Sequence, residues 1–233
     1  MLLYKGWLET RWRLLFMLGF LAFWLVSFLI AAKAPGSGSK ALVGFIEFSV
    51  PAFVVGICAM LSGAGINTQP ALQAAKGLHG STLFTLSLPV SRFRLLAVRA
   101  GLGWLEMVGE IGALCCSMWL VLPGLSGSVM AVELLEYVGT LIACASALYF
   151  LSVFLATFLD DQLRIWGTMI GAVALWSLPN VTRLPASANI FRAMGDGSPL
   201  IAHAMPWSAM AFSLELAAIL FFAALKVVQL REY

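Results

Sequence analysis

The stretch Val132–Leu159 reads VELLEYVGTLIACASALYFLSVFLATFL and carries no charged residue after Glu136. A strand of a membrane barrel alternates in polarity, whereas a helix needs about 20 mostly apolar residues to cross roughly 30 Å of hydrocarbon. This run is continuously apolar, so it reads as a membrane-spanning helix. Working outward from it, five more stretches have the same character, near Leu14–Ala32, Ala41–Gly63, Leu95–Leu122, Leu163–Leu178 and Pro206–Val227. Leu163–Leu178 is the shortest. The expected fold is an all-α integral membrane protein, a single polytopic domain of six transmembrane helices over residues 1–233.

Composition agrees with that solvent. With 61% hydrophobic residues, 11% charged and a mean hydropathy of +0.96, the chain has too little polar surface to cover a water-soluble globule of 25.1 kDa. Six spans put both termini on one side. Placing them in the cytosol leaves Lys5, Arg11, Arg13, Lys76, Arg92, Arg94, Arg99, Arg164, Lys226 and Arg231 inside, against Lys33, Lys40, Arg183 and Arg192 outside. This satisfies the excess of basic residues on the cytosolic side. The net charge of +3 is therefore a topology signal and does not point to nucleic acid. The location implied is the cell membrane, with several passes and cytosolic termini.

Two resemblances to soluble chemistry fail on their own terms. Gly36-Ser37-Gly38-Ser39-Lys40 looks like a phosphate loop, but that loop needs Gly directly before Lys, Ser or Thr after it, and a preceding strand. No other segment offers a nucleotide site, so the chain is not expected to hydrolyse ATP by itself. Cys58, Cys115, Cys116 and Cys144 all fall inside predicted spans without zinc-ligand spacing, and read as buried apolar thiols. The basic residues before Leu14 resemble the start of a cleavable signal, yet the apolar run that follows exceeds the usual 7–15 residues. The first span is read as uncleaved.

Between spans two and three lies a polar insert, Gly77–Arg99, GLHGSTLFTLSLPVSRFRLLAVR. Ser81 suits a helix N-cap, Leu83, Phe84 and Leu88 share an apolar stripe, and Pro89 cannot extend the helix. A short amphipathic helix parallel to the membrane is expected there. Before span one, residues 4–13 (YKGWLETRWR) have the composition of a second short helix, lying in the headgroup region.

The run Leu86-Ser-Leu-Pro-Val-Ser-Arg92 resembles the "LPVSR" segment of ABC-2 type transporter permeases, the membrane subunits of type V ABC exporters. The order of parts is similar too: a Trp/Arg-rich N-terminal helix, six spans, this loop, and a longer external segment before the last span. The resemblance implies that the loop is a coupling helix docking on a separate ABC ATP-binding subunit. It places that contact on Phe84, Leu86, Leu88, Pro89, Val90, Ser91 and Arg92. It further implies a second permease chain, identical or not, enclosing the path, and no cofactor on this chain, ATP being bound by the partner.

Ionisable residues at membrane depth cost at least about 2.5–3.5 kcal/mol on insertion scales, so each invites a functional reading. Glu47, Glu133 and Glu136 lie near helix ends, where the dipole and interfacial water stabilise them. Glu106 and Glu110 are four apart and share a face of span three, with Arg99 about 10 Å before Glu106 along the axis. Glu215 lies deep in span six. Glu106, Glu110 and Glu215 are the candidates for lining a translocation path, the alternative being interhelical hydrogen bonding. Gly167 and Gly171 form a small-xxx-small pair that allows close helix approach, and Trp119, Trp176 and Trp207 read as interfacial anchors.

Two other functions are weighed against the permease. An intramembrane serine protease needs a nucleophile after Gly and a His at membrane depth. The histidines are His79, in the insert, and His203, at the outer boundary of span six, while Ser146 is flanked by Ala. A secondary transporter or substrate-binding membrane component would use Glu106, Glu110 and Glu215 as proton or ion sites without any ATPase.

Overall fold

Long apolar runs with few breakers become helices, and no strand occurs among the described residues. A computed structural model describes residues 2–32, 39–62, 91–121, 129–181 and 189–230. The helices in these residues are α1 (Leu2–Ala32), α2 (Ser39–Leu61), α3 (Arg92–Val121), α4 (Ala131–Ala156), α5 (Asp161–Val181), the short α6 (Ile190–Met194) and α7 (Pro199–Ala202), and α8 (Trp207–Leu230). Among the described residues, three stretches are long and apolar enough to cross a membrane: Phe93–Val121 of α3, all of α4 and all of α8. The chain is thus an all-helical protein with the attributes of a membrane protein. Residues 63–90, which include the polar insert up to Val90 and its expected coupling helix, lie outside the described residues.

Two expectations about element boundaries change. The N-terminal interfacial helix is not a separate element, because Leu2–Ala32 is one unbroken helix. No proline interrupts this stretch, and at 1.5 Å per residue it reaches about 46 Å, well beyond a 30 Å hydrocarbon layer. Helix α5 runs past Pro179 to Val181, since a proline in the last turn removes little of the hydrogen-bond ladder. The segment before the last helix contains α6 and α7.

Helix α4 is the hub, touching α2, α3 and every helix from α5 to α8, with its most extensive contact on α8. Its side chains explain this. Leu141, Cys144, Ala145, Ala147, Leu148 and Tyr149 are all buried, and a helix apolar on every side is stable only when other elements surround it. The outer surface is the reverse of a water-soluble protein's. Phe16, Phe23, Trp166, Ile170, Ile219 and Phe222 all point outward, a surface that hydrocarbon solvates and water does not.

Gly167 and Gly171 let α5 lie close on α4. A methyl group at Gly171 would come 2.5 Å from Leu151 Cδ2, and one at Gly167 would come 3.0 Å from Leu155 Cδ1. The small-residue face is therefore used within the bundle.

Tyr137 near the start of α4 and Ser152 near its end lie about 22 Å apart along the axis and mark two differently built ends. At the Tyr137 end, its hydroxyl donates to Met194 O (3.3 Å), and α6 packs Ile190, Ala193 and Met194 inward. Asn189 caps this five-residue helix through Oδ1, which accepts from the Arg192 amide at 3.0 Å. At the Ser152 end the bundle is held by charge.

Candidate functional site

Arg164, on the first turn of α5, is 1% exposed and is the largest fully buried side chain among the described residues. Sequence reading places it with the cytosolic surface charges, and the structure instead turns it into the bundle. Its guanidinium makes five hydrogen bonds. Nη1 donates to Ala59 O at 2.7 Å, Ser62 Oγ at 2.9 Å and Ser152 Oγ at 2.9 Å; Nε and Nη2 both donate to Asp161 Oδ1, at 3.2 and 2.9 Å. A buried guanidinium is tolerated only when its donors are satisfied and its charge is matched, and both conditions hold here. Asp161 opens α5, where the helix dipole favours a carboxylate, and Arg164 meets carbonyls at the C-terminal end of α2, where it favours a cation.

Asp161 is shared. Its Oδ2 accepts from Nη2 of Arg13 on α1, and Arg13 Nη1 also donates to Met60 O at 3.3 Å. One network thus ties α1, α2, α4 and α5 together where α2 hands over to the segment that begins at residue 63. The signal for it in the sequence is Asp161 three residues before Arg164, the spacing that brings two side chains together on a helix.

The other side of that segment is anchored as well. Ser91 is the N-cap of α3: its Oγ accepts from the Arg94 amide at 3.3 Å and its carbonyl from the Leu95 amide at 3.1 Å. One turn of α4 before Ser152, the Tyr149 hydroxyl donates to Ala100 O at 2.9 Å and lies against Gly103. A single face of α4 therefore holds the end of α2, through Arg164, and α3 a little over two turns past its start, through Tyr149. Of the docking residues expected from the family resemblance, Ser91 and Arg92 belong to this helix start, while Phe84, Leu86, Leu88, Pro89 and Val90 lie outside the described residues.

The glutamates divide. Glu106 (8% exposed) and Glu110 (1% exposed) are both buried on α3, beyond the Tyr149 contact and toward the middle of the bundle. Neither carboxylate oxygen of Glu110 finds a hydrogen-bond donor among the described residues. Arg99, on the same helix, is buried too. Glu215, by contrast, is exposed on the outward face of α8, about 12 Å from the start of that helix, so it does not join the α3 pair. Glu133 serves its own helix: Oε2 accepts from the Met130 amide at 2.9 Å, and Oε1 lies 3.8 Å from His203 Nδ1. Ser146 accepts from the Trp104 indole at 3.0 Å and donates to Ile142 O at 2.8 Å, so its hydroxyl is engaged within the bundle.

A buried carboxyl lacking a hydrogen bond is retained at a cost of roughly 1–3 kcal/mol. Glu110→Leu is accordingly expected to leave the unfolding temperature in detergent unchanged or to raise it. A marked fall would mean that a structural partner holds the side chain. Among the described residues no group of three or more His, Cys, Asp or Glu is arranged to hold a metal ion. Comparison of the chain with known protein families, with curated proteins and with solved structures finds no match.

Proposed function

We propose that this chain is the permease subunit of an ABC exporter in the cell membrane, with six spans and both termini in the cytosol. It moves a hydrophobic or amphipathic substrate when a separate ATP-binding subunit acts on the segment between α2 and α3. The observation that carries the reading is the setting of that segment. The LPVSR-like run Leu86–Arg92 ends at the Ser91 cap of α3, and the helix before it ends at the Arg164 network. A segment that runs between a helix end tied to α4 and a capped helix that α4 grips two turns on can pass a pull into the bundle. Docking also accounts for the apolar stripe of Leu83, Phe84 and Leu88 in an otherwise polar insert.

A second permease chain belongs to this reading. Glu215 faces outward on a helix apolar enough to span, and hydrocarbon cannot solvate a carboxylate. A second chain, or the aqueous path between two chains, supplies the polar surroundings it needs. Glu110 favours a second reading, an ATP-independent transporter or substrate-binding component in which Glu106 and Glu110 carry a proton or ion.

Affinity purification from native membranes separates the two. The wild-type chain is expected to bring down an ATP-binding subunit, and the Phe84→Asp, Leu88→Asp double variant to lose it while still folding. A well-folded wild-type chain with no such partner would sink the permease reading. Loss of transport in Glu106→Gln and Glu110→Gln without any ATPase would then support the second.

A further inference from the structure

We propose that the Arg13–Asp161 ion pair is the releasable bond of a gate at the end of the bundle where α2 leads into the segment 63–90. In that gate Arg164 is the fixed post and α1 the moving leaf. The inference rests on reading the bundle as a transport path, but not on which energy source drives it.

The two arginines hold Asp161 very differently. Arg164 is 1% exposed and committed to acceptors on α2, α4 and its own helix, so it cannot leave without stranding a buried charge. Arg13 is 24% exposed and holds by its bond to Asp161 and one longer bond to Met60 O. When Arg13 departs, Asp161 keeps Arg164 and the charge stays matched, while Arg13 passes into water or headgroups. Opening on the α1 side thus creates no unpaired buried ion, and opening on the α5 side does.

Beyond Arg13, α1 keeps its contacts with α3 and α2, and these serve as the pivot in this gate. About 10 and 16 Å along the helix from Arg13, the Phe20 and Trp24 rings stack on Phe53 of α2, with centroids 5.5 and 5.3 Å away. Between these points only Met17 is fully covered, while Leu15, Phe16 and Leu18 face outward. Two residues before Met60, whose carbonyl Arg13 holds, the buried Cys58 thiol of α2 sits 3.6 Å from Met107 Sδ of α3 and 3.4 Å from Ala145 O of α4. In this gate Cys58 reports whether the end of α2 has opened.

The test needs no substrate and no partner, so a missing ATP-binding subunit leaves its outcome untouched. The full chain in lipid vesicles is treated with a water-soluble maleimide, and modification of each cysteine is followed by peptide mass spectrometry. Cys144, also buried, serves as the internal control. Arg13→Gln is expected to speed Cys58 modification by about fivefold, the size set by losing one partly screened ion pair. Cys144 should stay slow, the unfolding temperature should fall by no more than the loss of one partly screened pair implies, and Arg13→Lys should restore the slow rate. The gate is overturned if Cys58 reacts at the wild-type rate in Arg13→Gln. It is equally overturned if Cys58 and Cys144 speed up together with a lowered unfolding temperature, because the pair is then a structural staple. Should Arg13→Gln fold poorly, Arg13→Met keeps the stem packing and is read by the same outcomes.

Discussion

Arg164→Ala is expected to destabilise the chain by about 3–5 kcal/mol, the cost of breaking a buried ion pair and leaving its partner behind. The loss is more than one contact. Without the guanidinium, Ala59 O, Ser62 Oγ and Ser152 Oγ lose a donor, and Asp161 keeps only the more exposed Arg13. Arg164→Lys separates charge from shape. An ammonium cannot reproduce the planar fork that reaches α2, α4 and Asp161 at once, so a smaller loss, about 1–3 kcal/mol, is expected. Unfolding in detergent followed by tryptophan fluorescence measures both. If Arg164→Ala costs less than about 1 kcal/mol, the side chain is solvated like a surface cation and the network is no keystone.

The second large effect is expected at Gly103. A Cβ there would overlap the Tyr149 hydroxyl and come 3.2 Å from Leu61 O, and Tyr149 is itself fully buried with its hydroxyl bound to Ala100 O. Neither obstacle can move cheaply. Gly103→Ala therefore combines overpacking with a broken buried hydrogen bond, for a loss of about 2–4 kcal/mol. The double variant with Tyr149→Phe removes the colliding oxygen and is expected to recover part of it, a coupling of roughly 0.5–3 kcal/mol in a double-mutant cycle. Strictly additive losses would mean that α3 and α4 do not approach each other through this pair. Because Gly103 sits three turns into the helix that follows residues 63–90, Gly103→Ala should, under the proposed function, also weaken the response to a partner ATPase.

The helices were legible because their cause is local. The run after Glu136 and the apolar stretch of α8 each exceed the length a spanning helix needs, and their observed bounds depart little from the expected ones. Errors of boundary arose where a breaker sat too near an end to break anything, as Pro179 does in α5, or where no breaker stood between interface and core, as in α1. The site was less legible. An arginine three residues inside a helix start looks the same in sequence whether it reaches water or the interior. Arg164 goes inward because α2 ends beside it with open carbonyls and Ser152 faces it from α4. Glu106, Glu110 and Glu215 looked alike as charges in apolar runs, yet the first two are enclosed and the third faces out.

What the sequence by itself determined is the membrane-protein composition, the all-helical class and the approximate helices. All of these follow from composition and from the cost of leaving backbone groups unsatisfied in hydrocarbon. Only the tertiary structure decided which charges meet. It sets Arg13, Asp161 and Arg164, far apart along the chain, at one end of the bundle, and Glu110 in the interior without a donor among the described residues. Helix formation depends on neighbours within a few residues. The pairing of buried ions depends on which faces of separate helices pack together, and no single segment contains that information.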